Sequence, residues 1–142
     1  MNNRRDAREW ALKVLYAFEL SGNPVETSLQ QVLPEDSAGK YKQFTVELVR
    51  GTVDHHNDID DLIREHVEKW ELDRIAVLDR LILRLSICEI LYFPDIPPKV
   101  SINEAIEIAK KYSTEKSDKF INGVLDAVLH RHVLKVKPVN EK

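Results

Sequence analysis

The sequence predicts an all-α protein, and three observations lead there. Apolar residues recur three and four apart through most of the chain, as in Ala7, Trp10, Ala11, Val14, Leu15 and Phe18. No segment alternates apolar and polar residues, and the only Asn-Gly pair, Asn122-Gly123, falls inside a helical stripe instead of between two strand patterns. With 142 residues, 43% of them hydrophobic, the chain has the length of one domain that buries one core. Pairs of helices joined by short turns predict two small bundles packed into one unit of about six to seven helices, with a seam near Trp70: a first bundle over about residues 1–70 and a second over about 71–135.

Asn2 or Asn3 can cap a first helix that runs to about Leu20, where Ser21-Gly22-Asn23-Pro24 ends it. A short helix from Val25 to Leu33 starts behind Pro24 and stops at Pro34. Tyr41, Phe44, Leu48 and Thr52, followed by Ile59, Leu62, Ile63 and Val67, predict one long helix in preference to two broken near Asn57-Asp58. From Asp73 to Phe93 the chain is apolar on almost every side, which predicts a helix that is either central or shared with a partner. Pro94 and Pro97-Pro98 then make a stiff connector.

Ser101-Ile102-Asn103-Glu104 has the pattern of a capping box, so a helix is expected to start at Ile102 and carry Ala105, Ile106 and Ala109 inward as far as Tyr112. Ser113-Thr114 breaks it. Ser117 offers the next N-cap, ahead of the stripe Phe120, Ile121, Val124, Leu125, Val128 and Leu129.

Composition excludes several function classes. The single cysteine, Cys88, cannot form an internal disulfide and sits in an apolar run, as a small core residue in a reducing compartment does. No apolar stretch approaches the roughly 20 residues that span a bilayer, and charges interrupt what a signal peptide would need as its apolar core, so a soluble cytoplasmic protein is expected. Four glycines, no glycine-rich phosphate loop and no nucleophile motif argue against an enzyme, and no cofactor is implied. His55, His56, Asp58 and Asp61 lie close together, but the sequence places no third ligand beside a pair such as His55 with Asp58, and no metal is expected.

Charge is where function enters. The net charge is −3, yet residues 54–79 hold nine acids against three bases, while residues 1–16 hold four bases against two acids and residues 116–142 six against three. Arg4, Arg5 and Arg8 crowd the start of the first helix, and Lys116 and Lys119 the start of the last, where the macrodipole disfavours cations. Two such helix starts, brought together by the fold, would make one basic face on an acidic protein, suited to a phosphate chain. Arg5, Arg8, Leu12 and Tyr16 project from one side of the first helix, which leaves Tyr16 exposed beside guanidinium groups and able to stack on a base. Phe120, at the head of the stripe with Val124, reads by spacing first as core and second as a further stacking ring, and Asn122 as a base-edge reader or a local cap.

The run Lys119-Phe120-Ile121-Asn122-Gly123-Val124-Leu125-Asp126, following Ile102-Asn103-Glu104-Ala105-Ile106-Glu107, resembles the signature of the NusB family of bacterial transcription antitermination factors. Arg4-Arg5-Asp6-Ala7-Arg8-Glu9 with Leu15-Tyr16, and Val77-Leu78-Asp79-Arg80-Leu81-Ile82-Leu83-Arg84-Leu85, extend the resemblance over nearly the whole chain. It departs from the family pattern at Ile121, at Asp6 where some members carry a third arginine, at Lys116 where some carry an acid, and at Cys88 where an aromatic residue is common. The resemblance implies binding of single-stranded boxA RNA through Arg4, Arg5, Arg8, Tyr16, Lys116, Lys119, Phe120 and Asn122. It also implies docking of NusE, the ribosomal small-subunit protein, near Asp79, Arg80 and Glu89. On that reading the protein joins the RNA polymerase elongation complex with other Nus factors and suppresses termination, typically on ribosomal RNA operons. A helical protein-protein adaptor without direct RNA binding is the alternative. Some ribosomal RNA cytosine methyltransferases carry a NusB-like domain, but this chain offers no second domain to hold their cofactor.

Overall fold

A computed structural model describes residues 1–67 and 69–133. Seven α-helices are present among the described residues and no strand: α1 (Arg4–Ser21), α2 (Val25–Val32), α3 (Gly39–Asp54), α4 (His56–His66), α5 (Val77–Tyr92), α6 (Pro98–Tyr112) and α7 (Ser117–Val128). A 3₁₀ turn, Lys69–Arg74, precedes α5, and a π-helical turn, Leu129–Val133, follows α7. The all-α expectation and the helix number agree with this. The basic residues Lys135, Lys137 and Lys142 counted in the C-terminal stretch lie outside the described residues.

Local chemistry sets the ends of α1. The Asn3 side chain accepts the Asp6 N–H at 2.8 Å, and Gly22, at φ 70°, closes the helix with its N–H on the Phe18 carbonyl. α1, α2 and α3 pack on one another, and α5, α6 and α7 do the same. The long helix expected from Tyr41 to Val67 is instead two helices. Asp54, His55, His56, Asn57 and Asp58 are all weak helix formers, and the break at His55 lets α4 leave α3 and pack on α5 and α7. The His55 ring stacks on Tyr92 at 3.8 Å and fixes the corner.

α5 is central, touching α1, α3, α4, α6 and α7. Leu81, Ile82, Leu83, Ile87 and Cys88 are buried on it, and each large aliphatic chain among them contributes about 1.5–3 kcal/mol relative to exposure. Gly51 of α3 lets the helices close on each other, since a Cβ there would sit 3.0 Å from the Cys88 sulfur. Cys88 is a core residue as expected, and burial pushes its thiol up to about 11. α5 starts at Val77 and not at Asp73, because the preceding residues form the 3₁₀ turn that buries Leu72.

α6 also starts elsewhere than expected. Pro98 takes the first helical position, where its missing N–H costs nothing, so Ser101 and Glu104 lie inside the helix and form no capping box. Their side chains are committed elsewhere: Ser101 donates to Glu89 at 2.9 Å and Glu104 accepts from Arg5. Ser117 likewise lies within α7 instead of capping it, and donates to Asp79 at 2.8 Å. Among the described residues no helix is long and apolar enough to cross a membrane.

Candidate nucleic-acid interface

The three arginines of α1 meet three different fates. Arg8 is only 4% exposed and lies in a two-pronged ion pair with Glu89 of α5, at 2.8 and 2.9 Å, while Ser101 of α6 donates to the same carboxylate. This buried triad ties three helices together, and its guanidinium is not offered to a phosphate, which corrects the expectation for Arg8. Leu12, expected on the same open face, is buried as well. Arg5 stands half-exposed but grips Glu104 with two bonds of 2.8 Å, which hold the Glu104 carboxyl below the usual carboxylate range. Arg4 is the freest, lying over the Phe44 ring at 4.9 Å and 3.7 Å from an exposed Asp95 carboxylate.

α6 is the spacer between the two cationic helix starts. Glu104 near its start meets Arg5 of α1, and Lys111 and Tyr112 at its end meet Glu9, at 2.8 and 2.7 Å. Burial pushes the Glu9 carboxyl upward, but the bonds from Lys111 and Tyr112 outweigh it and leave Glu9 below its ordinary range. From Glu104 to Tyr112 the helix advances about 12 Å, and α7 begins five residues beyond Tyr112. Arg5, Glu9, Glu107, Lys110 and Lys111 line a shallow cleft of 360 Å³ along this seam. These bridges run from the Arg5–Glu104 pair to the contacts of Glu9 with Lys111 and Tyr112.

At the far end the charge is unanswered. Lys116 and Lys119 are exposed and make no ion pair among the described residues. Asn122 follows them on the exposed side of α7, and Phe120 is half-buried and packed against the core. Ile121, Val124, Leu125 and Val128 hold the helix down from the other side. The backbone at this helix start is less open to a phosphate than expected. Asp79 of α5 accepts from both Ser113 and Ser117, and Asp118 accepts the Lys119 N–H at 2.8 Å, so carboxylates already answer the positive helix end. The lysine side chains carry the available charge.

Of the residues expected to meet a protein partner, Asp79 and Glu89 are corrected. Both are buried, Asp79 accepting from Ser113 and Ser117 and Glu89 from Arg8 and Ser101. Arg80 is partly exposed and lies 3.7 Å from Glu19. Tyr16 is 41% exposed, as the spacing on α1 predicts, and Leu20, one turn further, is 64% exposed. Sequence reasoning passed over Leu20, although an apolar residue four after an exposed Tyr was visible; it also took Glu104 for a cap and left Glu9, Lys111 and Tyr112 without a role. No metal-capable group forms around His55, His56, Asp58 and Asp61 among the described residues; His56 faces the Val53 carbonyl and Asp61 pairs with Arg64.

Residues 5–130 match the model of the NusB family. A protein of Chloroherpeton thalassium named transcription antitermination protein NusB is 47% identical over 127 residues, which are 88% of this chain and 60% of that relative's length. In structure, the chain is similar to the NusB of T. maritima, with a TM-score of 0.88, 42% identity and 96% of each chain covered. It is also similar to a chain in the crystal structure of antitermination factors NusB and NusE in complex with double-stranded RNA, with a TM-score of 0.83, 30% identity, and 91% of this chain and 97% of that one covered. The motifs at the two basic helix starts and these matches converge on one conclusion: the chain belongs to the NusB family.

Proposed function

We propose that this protein is a transcription antitermination factor that binds boxA-containing nascent RNA together with NusE and joins the RNA polymerase elongation complex with other Nus factors to suppress termination, typically on ribosomal RNA operons. It acts by stoichiometric binding, without catalysis. The observation that carries this reading is the start of α7, where two exposed lysines with no ion pair among the described residues precede the partly buried ring of Phe120.

Each group has a role suited to its surroundings. Lys116 and Lys119 supply phosphate affinity, with Arg4 and the exposed side of Arg5 extending the track along α6. Phe120 stacks on a base and Asn122 reads a base edge, contacts that need unpaired nucleotides and so favour single-stranded RNA. Arg8, Asp79 and Glu89 hold the helices that position these groups. Tyr16, expected above to stack on RNA, lies eleven residues beyond Arg5, about 16 Å along α1, and one turn from Leu20; we assign this exposed apolar pair instead, with the neighbouring Glu19 and Arg80, to the NusE surface.

The same apolar pair is what favours the second reading, a helical adaptor that binds protein alone. Fluorescence anisotropy with labelled boxA RNA and a scrambled control, each with and without NusE, separates the two. The antitermination reading expects boxA to bind more tightly than the control and to tighten further with NusE. Equal affinity for both RNAs in both conditions leaves only the adaptor.

A further inference from the structure

We propose that Glu65, His66 and His132 form a binding site for one Zn²⁺ ion that pins the turn after α7 to the end of α4. Glu65 and His66 close α4, and His132 lies in the π-helical turn Leu129–Val133. One ligand atom from each of the three residues lies within 4.8 Å of the other two. The Glu65 Oε1 atom is 3.2 Å from His132 Nε2, close to the edge of a zinc tetrahedron, about 3.3–3.5 Å for bonds of about 2.0–2.2 Å.

The ring nitrogens supply the second observation. The Nε2 atoms of both His66 and His132 are sealed from solvent with no hydrogen-bond partner among the described residues, and the Glu65 oxygen beside His132 lies off the direction a hydrogen bond requires. The two rings meet edge to face at 5.5 Å and do not stack. A buried nitrogen lone pair without a donor is costly, and a cation bound through it removes that cost.

Two imidazoles and one carboxylate suit a borderline cation such as Zn²⁺ better than Mg²⁺ or Ca²⁺, and leave one position for water. The location argues for a structural clip. α7 advances about 18 Å between its lysine-bearing start and the π-turn, so the site stands apart from the RNA-binding groups. The π-turn at the end of α7 carries His132 against α4.

The test uses the untagged full chain, stripped with a chelator and titrated with Zn²⁺ by calorimetry while thermal melting is followed in parallel. One Zn²⁺ per chain and a raised Tm that the chelator reverses are expected. His66→Gln and His132→Gln should each weaken Zn²⁺ binding by more than about tenfold and remove the Tm rise, while His130→Gln and His56→Gln should leave both unchanged. Glu65→Gln, at a more exposed position, should weaken binding without unfolding the chain, and the His66 and His132 ring resonances of the unaltered protein should shift together on adding Zn²⁺. Absence of stoichiometric binding, or binding that survives in both His66→Gln and His132→Gln, overturns the site.

Discussion

The start of α1 and the start of α7 look alike in sequence and differ in what their charges do. At α1, Arg8 is buried against Glu89, Arg5 is clamped by Glu104, and Arg4 alone keeps loose contacts. At α7, Lys116 and Lys119 point outward without ion-pair partners among the described residues. A cluster of cations therefore marks two distinct things: fasteners between helices, where a carboxylate from another helix meets them, and ligand contacts, where none does. Arginine suits the first because its planar fork holds a carboxylate with two bonds, and lysine suits the second as a mobile point charge.

The largest test of this contrast is Arg8→Ala. It leaves the Glu89 carboxylate buried with only Ser101 to meet it, and should cost about 3–5 kcal/mol in urea or thermal unfolding. A loss below about 1 kcal/mol, the size of an exposed ion pair, would mean that Arg8 is not a fastener. Next in size, Phe120→Ala should weaken boxA RNA binding by about 1–3 kcal/mol without changing the salt slope, measured by anisotropy at several salt concentrations. An unchanged affinity would assign the ring wholly to the core.

Arg5 sits between the two classes, and Glu104→Gln sharpens its position. Releasing the guanidinium from its carboxylate should tighten RNA binding and steepen the salt slope by about 0.7, the value for one phosphate on a single strand. An unchanged slope would place Arg5 with Arg8 as a fastener. The smallest effect is in acid. The Glu104 carboxyl is held below its ordinary value by the bond from Arg5, so its stabilisation is fully present above about pH 4.3 and fades as pH falls through the lowered value. Glu104→Gln should therefore reduce the fall in Tm between about pH 5 and pH 3, and an identical fall in both proteins would remove this contribution.

Most of the fold was legible because apolar spacing reports which side of a helix is buried without reference to the neighbours. Ala7, Ala11, Val14 and Leu15 on α1, and Ile121, Val124, Leu125 and Val128 on α7, are buried as their spacing requires. What stayed hidden was pairing over long sequence separations. The partners of Arg5 and Arg8 lie on α6 and α5, and nothing in the sequence says that Ser101 and Glu104 prefer those partners to a local cap. The break at His55 was hidden for a related reason, since the apolar rhythm continues across it while the direction of the chain does not. At the site, spacing foretold the exposure of Tyr16, whereas the burial of Arg8 and Leu12 on the same face of α1 depends on α5 lying against it.

The most direct measurement is the salt dependence of boxA RNA affinity for the Lys116→Ala/Lys119→Ala double variant, set beside Arg8→Lys and the unaltered protein. Freeing two phosphates of a single strand from their lysines should flatten the slope of the double variant by about 1.4, while Arg8→Lys keeps the original slope despite its lower stability. An unchanged slope in the double variant, with a flattened one in Arg8→Lys, would contradict the division between fasteners and ligand contacts.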